Sequence, residues 1–190
     1  LTSQQLYMVF SREFHLKDGS FRLWVVNENV VRDEKTNVLS LPRLRPTSLM
    51  KKEMDKMCTV ENQLDSDRNI VFVEMALEDA AIPGLLPYNE SQDMMFFLKY
   101  YDVSQQRTFF CGHLMINCKA AIRAYLPQIL EKAHLPPGTP LNFFEEVAPE
   151  RTRPLSGEEV VSQDHGLVEI ADGAILVFER ADKRTEENNA

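Results

Sequence analysis

The stretch from 94 to 135 constrains the fold more than any other part of the chain. "MMFFLKYYD" at 94–102 and "TFFCGHLMI" at 108–116 are apolar, aromatic-rich runs of strand length, separated by the polar "VSQQR" at 103–107. That spacing predicts an antiparallel hairpin. "KAAIRAYLPQILEKAHL" at 119–135 follows at once, with Ile122, Leu126, Ile129, Leu130 and Ala133 on one helical face. Pro127 lies inside that pattern and predicts a strained or kinked helix, because it lacks an N–H and crowds the preceding turn. "PPGTP" at 136–140 is an abrupt stop.

Two further strands are expected, "LNFFEEV" at 141–147 and "AILVFER" at 174–180, with a polar loop between them. Hairpin, helix, strand, loop, strand within about 90 residues is the element order of a β-grasp fold, in which a mixed sheet wraps one helix. The first half repeats part of that order. A helix is expected from about Thr2, with Thr2 and Ser3 as candidate caps and Leu6, Phe10 and Phe14 recurring at i, i+4, i+8. Met8 and Val9 widen its apolar face, and Gly19 in "KDG" is its expected stop. "SFRLWVV" at 20–26 and "NIVFVEMAL" at 69–77 read as strands. "NEN" at 27–29 reads as a turn, and 30–50 as loop with at most a short strand. This is the same order with its opening hairpin missing. Met50, Met54 and Met57, spaced i, i+4, i+7, suggest a small helix packed on this half.

Pro83, Gly84, Pro87 and Asn89 break regular structure between the halves. The expected fold class is therefore α+β, with a first β-grasp module over 1–78, a linker over 79–92 and a second module over 93–180. The charged 181–190 is expected to be a disordered tail. The chain opens as if at a helix, which suggests a piece of a longer protein.

Cys111, His113 and Cys118 look at first like a reactive or metal-binding cluster. Two apart on a strand, Cys111 and His113 would share a face about 6–7 Å apart, beside Phe109 and Met115. Apolar neighbours raise a thiol pKa and make it inert. Zinc sites need four ligands with paired spacing, which these residues do not supply. No catalytic residue, metal or cofactor is expected in this segment. Trp24, Phe72, Phe96, Phe143 and Phe178 lie on apolar strands and are expected in cores.

The formal charge of −8 disfavours nucleic acid or an anionic membrane as a partner. No apolar run reaches the roughly 18 residues that a membrane-spanning helix needs. The odd count of three cysteines suits a reducing compartment rather than a disulfide framework. Between Glu145 and Arg180 nine carboxylates face three arginines, which leaves room for a basic partner. Asp172-Gly173 also suits a tight turn before the last strand, where glycine supplies a positive φ.

The segments "MMFFLKYYD", "FFCGHLMINCKAAIRAYLPQILEKAHL", "NFFEEVAPE" and "ADGAILVFER" resemble the second ubiquitin-like domain of HAUSP-like ubiquitin-specific proteases. "FRLW" and "NIVFVEMAL" resemble strands of the first such domain. The resemblance implies a tandem, non-catalytic ubiquitin-like pair within a thiol-dependent deubiquitinase, a ubiquitin carboxyl-terminal hydrolase whose catalytic domain lies elsewhere. It implies an acidic patch on the second domain that captures lysine-rich segments of substrates or regulators. That patch maps to "VEIADGA" at 168–174, with Glu169 and Asp172 as acidic contacts and Leu167 and Ile170 as candidate pocket residues. Val168 and Ala174 stand where HAUSP is acidic, so this chain departs from the pattern there. The resemblance further implies residence in nucleus and cytoplasm. The rival expectation is an intramolecular regulator or spacer whose partner is the parent's own catalytic domain.

Overall fold

A computed structural model describes residues 2–29, 43–50, 70–76, 84–148, 151–158 and 173–182. The chain divides into two compact units, Leu1–Pro87 and Tyr88–Ala190. Both are of α+β type.

The first unit opens with helix α1 (Ser3–Glu13). Thr2 and Gln5 form a capping box: Gln5 N donates to Thr2 Oγ1 at 3.2 Å, and Thr2 N donates to Gln5 Oε1 at 2.8 Å. Two otherwise orphaned donors are thus satisfied at the helix start. The helix stops earlier than the expected stop at Gly19. His15 takes the left-handed conformation, φ 54°, and Leu16 N donates back to Ser11 O at 3.0 Å. Gly19, φ 79°, instead serves the turn before the first strand.

Strands β1 (Phe21–Asn29), β2 (Arg43–Leu49) and β3 (Val71–Met75) form one antiparallel sheet in the order β2-β1-β3. The expected turn at 27–29 is instead the end of β1, paired with the start of β2. The core lies between α1 and one sheet face and contains Tyr7, Phe21, Leu23, Val25 and Met50, with Leu6 and Phe10 against it. Tyr7 ties three segments together. Its hydroxyl donates to Met50 O at 3.1 Å and accepts from Leu23 N at 3.0 Å. Phe14 and Met8, expected on the buried face, are instead exposed at 62% and 64%. Tyr7 takes the inward position because its hydroxyl finds two backbone partners. The helix expected at Met50–Met57 lies outside the described residues beyond Met50 itself, which is buried.

The second unit begins with β4 (Asp93–Asp102) and β5 (Arg107–Asn117), joined by a turn at 103–106. Asp102 organises that turn, accepting from Ser104 N and Oγ and from Gln105 N and Nε2. A 3-10 turn, Ile122–Tyr125, leads into α2 (Leu126–Lys132). The expected long helix is thus split, and Pro127 causes no kink. It sits in the first turn of α2, where its missing N–H has no helical acceptor to lose. The apolar face survives the split: Ile122, Ile129 and Leu130 are buried, with Leu126 and Ala133 packed beside them.

β6 (Leu141–Ala148), β7 (Arg151–Leu155) and β8 (Ala174–Arg180) complete a five-stranded sheet ordered β5-β4-β8-β6-β7. β4 and β8 run parallel at its centre, and all other pairs are antiparallel. β7 falls where only polar loop was expected. "RTRPL" lacks a strand's apolar alternation because it lies at the sheet edge, where Pro154 pairs with Phe144 on one side and has no second ladder to interrupt on the other. Phe96, Leu98, Leu114, Ile116, Ile122, Ile129, Phe143, Leu176 and Phe178 form the core between sheet and helix. Among the described residues no helix is long and apolar enough to cross a membrane.

Candidate functional site

The Cys-His cluster is dispersed by one backbone irregularity. Phe97 pairs with His113, but Lys99 pairs with Phe110, so β5 holds one residue more than β4 across this interval. Gly112, φ 88°, occupies the bulge. An extra residue shifts the period-2 alternation, so side chains before and after it change faces. Cys111 therefore packs on the core side with Leu114 and Ile116. His113 lies on the opposite face, its ring 6.3 Å from that of Phe97. The shared face expected for Cys111 and His113 does not form. Phe110 joins the His113 side, 6.2 Å from Phe97 and 66% exposed. Burial pushes the Cys111 thiol up, against smaller opposing effects from the Tyr100 backbone and the Lys132 ammonium. The neutral thiol is thereby favoured, opposite to what a nucleophile needs.

The last strand opens on a tight turn. Gly173 adopts φ 74° and donates its N–H to Met95 O at 2.8 Å, which fixes the turn against β4. Ala174 follows, pairs with Phe96 and is only 8% exposed within the core. Its side chain faces the packed interior. Leu167, Val168, Glu169, Ile170 and Asp172 lie outside the described residues. β8 itself starts at the end of the sheet where β4 starts, next to the close of β6.

Several of the nine carboxylates counted in the sequence are already paired. Lys99 Nζ meets Glu146 Oε2 at 2.6 Å, Arg153 binds Glu145, and Arg123 Nη1 meets Glu158 Oε1 at 2.6 Å. Glu179 is buried and accepts from Asn142 Nδ2 at 3.3 Å. The charges of Glu145 and Glu146 are offset within the fold by Arg153 and Lys99, so composition overstates the field available to a partner. Glu150, Glu159, Asp164, Glu169 and Asp172 lie outside the described residues.

Sequence reasoning passed over one polar constellation. Arg22 and Glu74 sit on apolar strands and face each other across β1 and β3. Glu74 is 1% exposed, and the Trp24 indole donates to it at 2.9 Å. The available signal was a charged residue in each of two otherwise apolar strands.

Comparison with known proteins gives a consistent relationship. Residues 21–190 match the ICP0-binding domain of Ubiquitin-specific protease 7. Ubiquitin carboxyl-terminal hydrolase 7 of Caenorhabditis elegans is 29% identical over 179 residues, covering 94% of this chain and 15% of that protein. Ubiquitin carboxyl-terminal hydrolase 5 of Schizosaccharomyces pombe is 32% identical over 123 residues, covering 63% of this chain and 11% of that protein. Ubiquitin carboxyl-terminal hydrolase 7 of Drosophila melanogaster is 24% identical over 191 residues, covering 89% and 16%. The chain thus spans less than a fifth of the length of these relatives.

Proposed function

Because the chain belongs to the family of the ICP0-binding domain of Ubiquitin-specific protease 7, a non-catalytic binding module of a deubiquitinase, we propose that it recruits lysine-rich segments of substrates or regulators to its parent enzyme. The observation that carries this reading is the match of residues 21–190 to a domain described by what it binds. In this reading the two units are tandem ubiquitin-like β-grasp modules. The parallel central pair β4·β8, flanked as β5-β4-β8-β6-β7 with the helix following the hairpin, supports that plan for the second. A helix followed by strands ordered β2-β1-β3 supports the later part of the same plan for the first.

Recruitment is assigned to Glu169 and Asp172, with Leu167, Val168 and Ile170 beside them. Ala174 contributes from the core side by anchoring β8. Exposed charge-assisted contacts of about 0.5–1 kcal/mol each give a micromolar, salt-sensitive complex. Sequence preference would come from the apolar neighbours. The parent's catalytic chemistry, proposed to be thiol-dependent removal of ubiquitin in nucleus and cytoplasm, lies outside these residues.

The test is fluorescence anisotropy of a labelled lysine-rich peptide with the 190-residue chain at two salt concentrations. Reversal of both charges, Glu169→Arg with Asp172→Arg, removes two attractions and adds two repulsions, about 2 kcal/mol or more than tenfold in Kd. Unchanged affinity would remove the assignment.

A further inference from the structure

The constellation around Glu74 does more than join two strands. Arg22 Nε donates to Glu74 Oε2 at 2.9 Å and Arg22 Nη2 to Oε1 at 2.6 Å, a two-pronged ion pair. Trp24 Nε1 donates to Oε2 at 2.9 Å, and the Arg22 guanidinium carbon lies 6.0 Å from the Trp24 ring centroid. All three side chains lie on the sheet face opposite α1, since Leu23, Val25 and Val73 supply the face toward the helix. Arg22 also reaches further along the chain. Its Nη2 also donates to the carbonyl of Leu86 at 2.7 Å, 64 residues along the chain. Leu86 lies in an irregular segment immediately before the boundary between Pro87 and Tyr88.

A buried Arg–Glu pair adds little net stability compared with apolar residues of the same size, because both charges must be stripped of water. Its presence on these apolar strands is therefore not explained by strength alone. What the guanidinium supplies is direction. Its fixed fork holds the carboxylate with one edge and leaves an N–H aimed at a loop carbonyl. Glu74 and Trp24 hold the fork in place, and an apolar trio would offer that carbonyl nothing.

The geometry points to a latch: Arg22, held by Glu74 and Trp24, pins the connector at Leu86 onto the first unit and so fixes where the chain leaves it. This goes beyond recruitment, and its test does not depend on any partner.

Nitrogen-15 relaxation of the 190-residue chain reads the latch directly, through the amides of Leu85, Leu86 and Tyr88. Two variants are compared. Arg22→Lys keeps the charge but lacks the fork; Glu74→Gln keeps the shape but releases the guanidinium. The expected result is that order parameters at 85–88 fall from the rigid range, about 0.85, to below about 0.6, while Leu23 and Val73 are unchanged. Limited proteolysis within 84–88 should quicken at least tenfold. A connector that stays ordered in both variants would overturn the latch. So would joint loss of order at Leu23, Val73 and the connector, because the cluster would then merely hold the sheet together.

Discussion

Replacing Gly112 by alanine tests the reasoning that separated Cys111 from His113. The residue sits at φ 88°, where an L side chain costs about 1–2 kcal/mol. The space itself is open: a Cβ built there would meet only Lys132 Nζ, at 3.8 Å, an ordinary contact. Alanine also narrows the unfolded ensemble, which returns about 0.4–1 kcal/mol. The net expectation is a loss of about 1 kcal/mol, or a fall in Tm of about 4–8 °C for a unit of this size. The chain offers a convenient control, because its single tryptophan, Trp24, lies in the first unit. Urea unfolding followed by tryptophan fluorescence should report an unchanged first unit. Far-UV circular dichroism should show an earlier transition from the second. If Gly112→Ala instead stabilises by about 0.4–1 kcal/mol, the gain expected where no left-handed cost opposes it, the left-handed bulge is not maintained. Regular alternation would then return Cys111 and His113 to one face, and the structural account of the cluster would fail.

Three other outcomes follow from the same geometry. Phe178→Ala, which empties a fully buried position against Tyr100, should cost the second unit about 3–5 kcal/mol with the Trp24 transition unmoved; a loss below about 1 kcal/mol would contradict its place at the core centre. For Cys111, burial raises the folded-state thiol pKa, so its contribution is whole below the unfolded thiol value and is lost as pH rises through the higher folded one. In a Lys132→Met background, which removes the neighbouring ammonium whose pKa burial lowers with the opposite sign, the chain should therefore lose more stability than its Cys111→Ala variant on the alkaline side of the ordinary thiol range; parallel curves would refute this. Native Cys111 should also react with iodoacetamide at pH 8 at least tenfold more slowly than in the urea-unfolded chain, and equal rates would mean the thiol is not shielded.

Much of the second unit was legible from local pattern. The hairpin at 93–117 and the strand at 174–180 announce themselves because their apolar runs have strand length and their turns carry turn residues. Pro127 misled on helix length: inside an apolar helical pattern it reads as a kink, yet it marks a start. β7 was invisible because an edge strand needs no apolar alternation. α1 showed a similar limit. Its periodicity favoured Phe14, but Tyr7 went inward because Met50 and Leu23 offered hydrogen bonds that only the tertiary fold supplies.

The sequence by itself determined the α+β class, most of the apolar strands and the residues through which family membership is recognised, since these depend on local periodicity and on identity at each position. It also located the acidic segment before β8. Tertiary structure alone decided how the neighbouring acids Glu145, Glu146, Glu158 and Glu179 are partnered, because their partners lie across strands and loops. It also decided the fate of the Cys-Gly-His stretch. A single glycine at positive φ inserts one residue into the ladder, and the period-2 alternation of the strand then sends a thiol inward and an imidazole outward. Register is a relation between strands, so it takes the partner strand to reveal it.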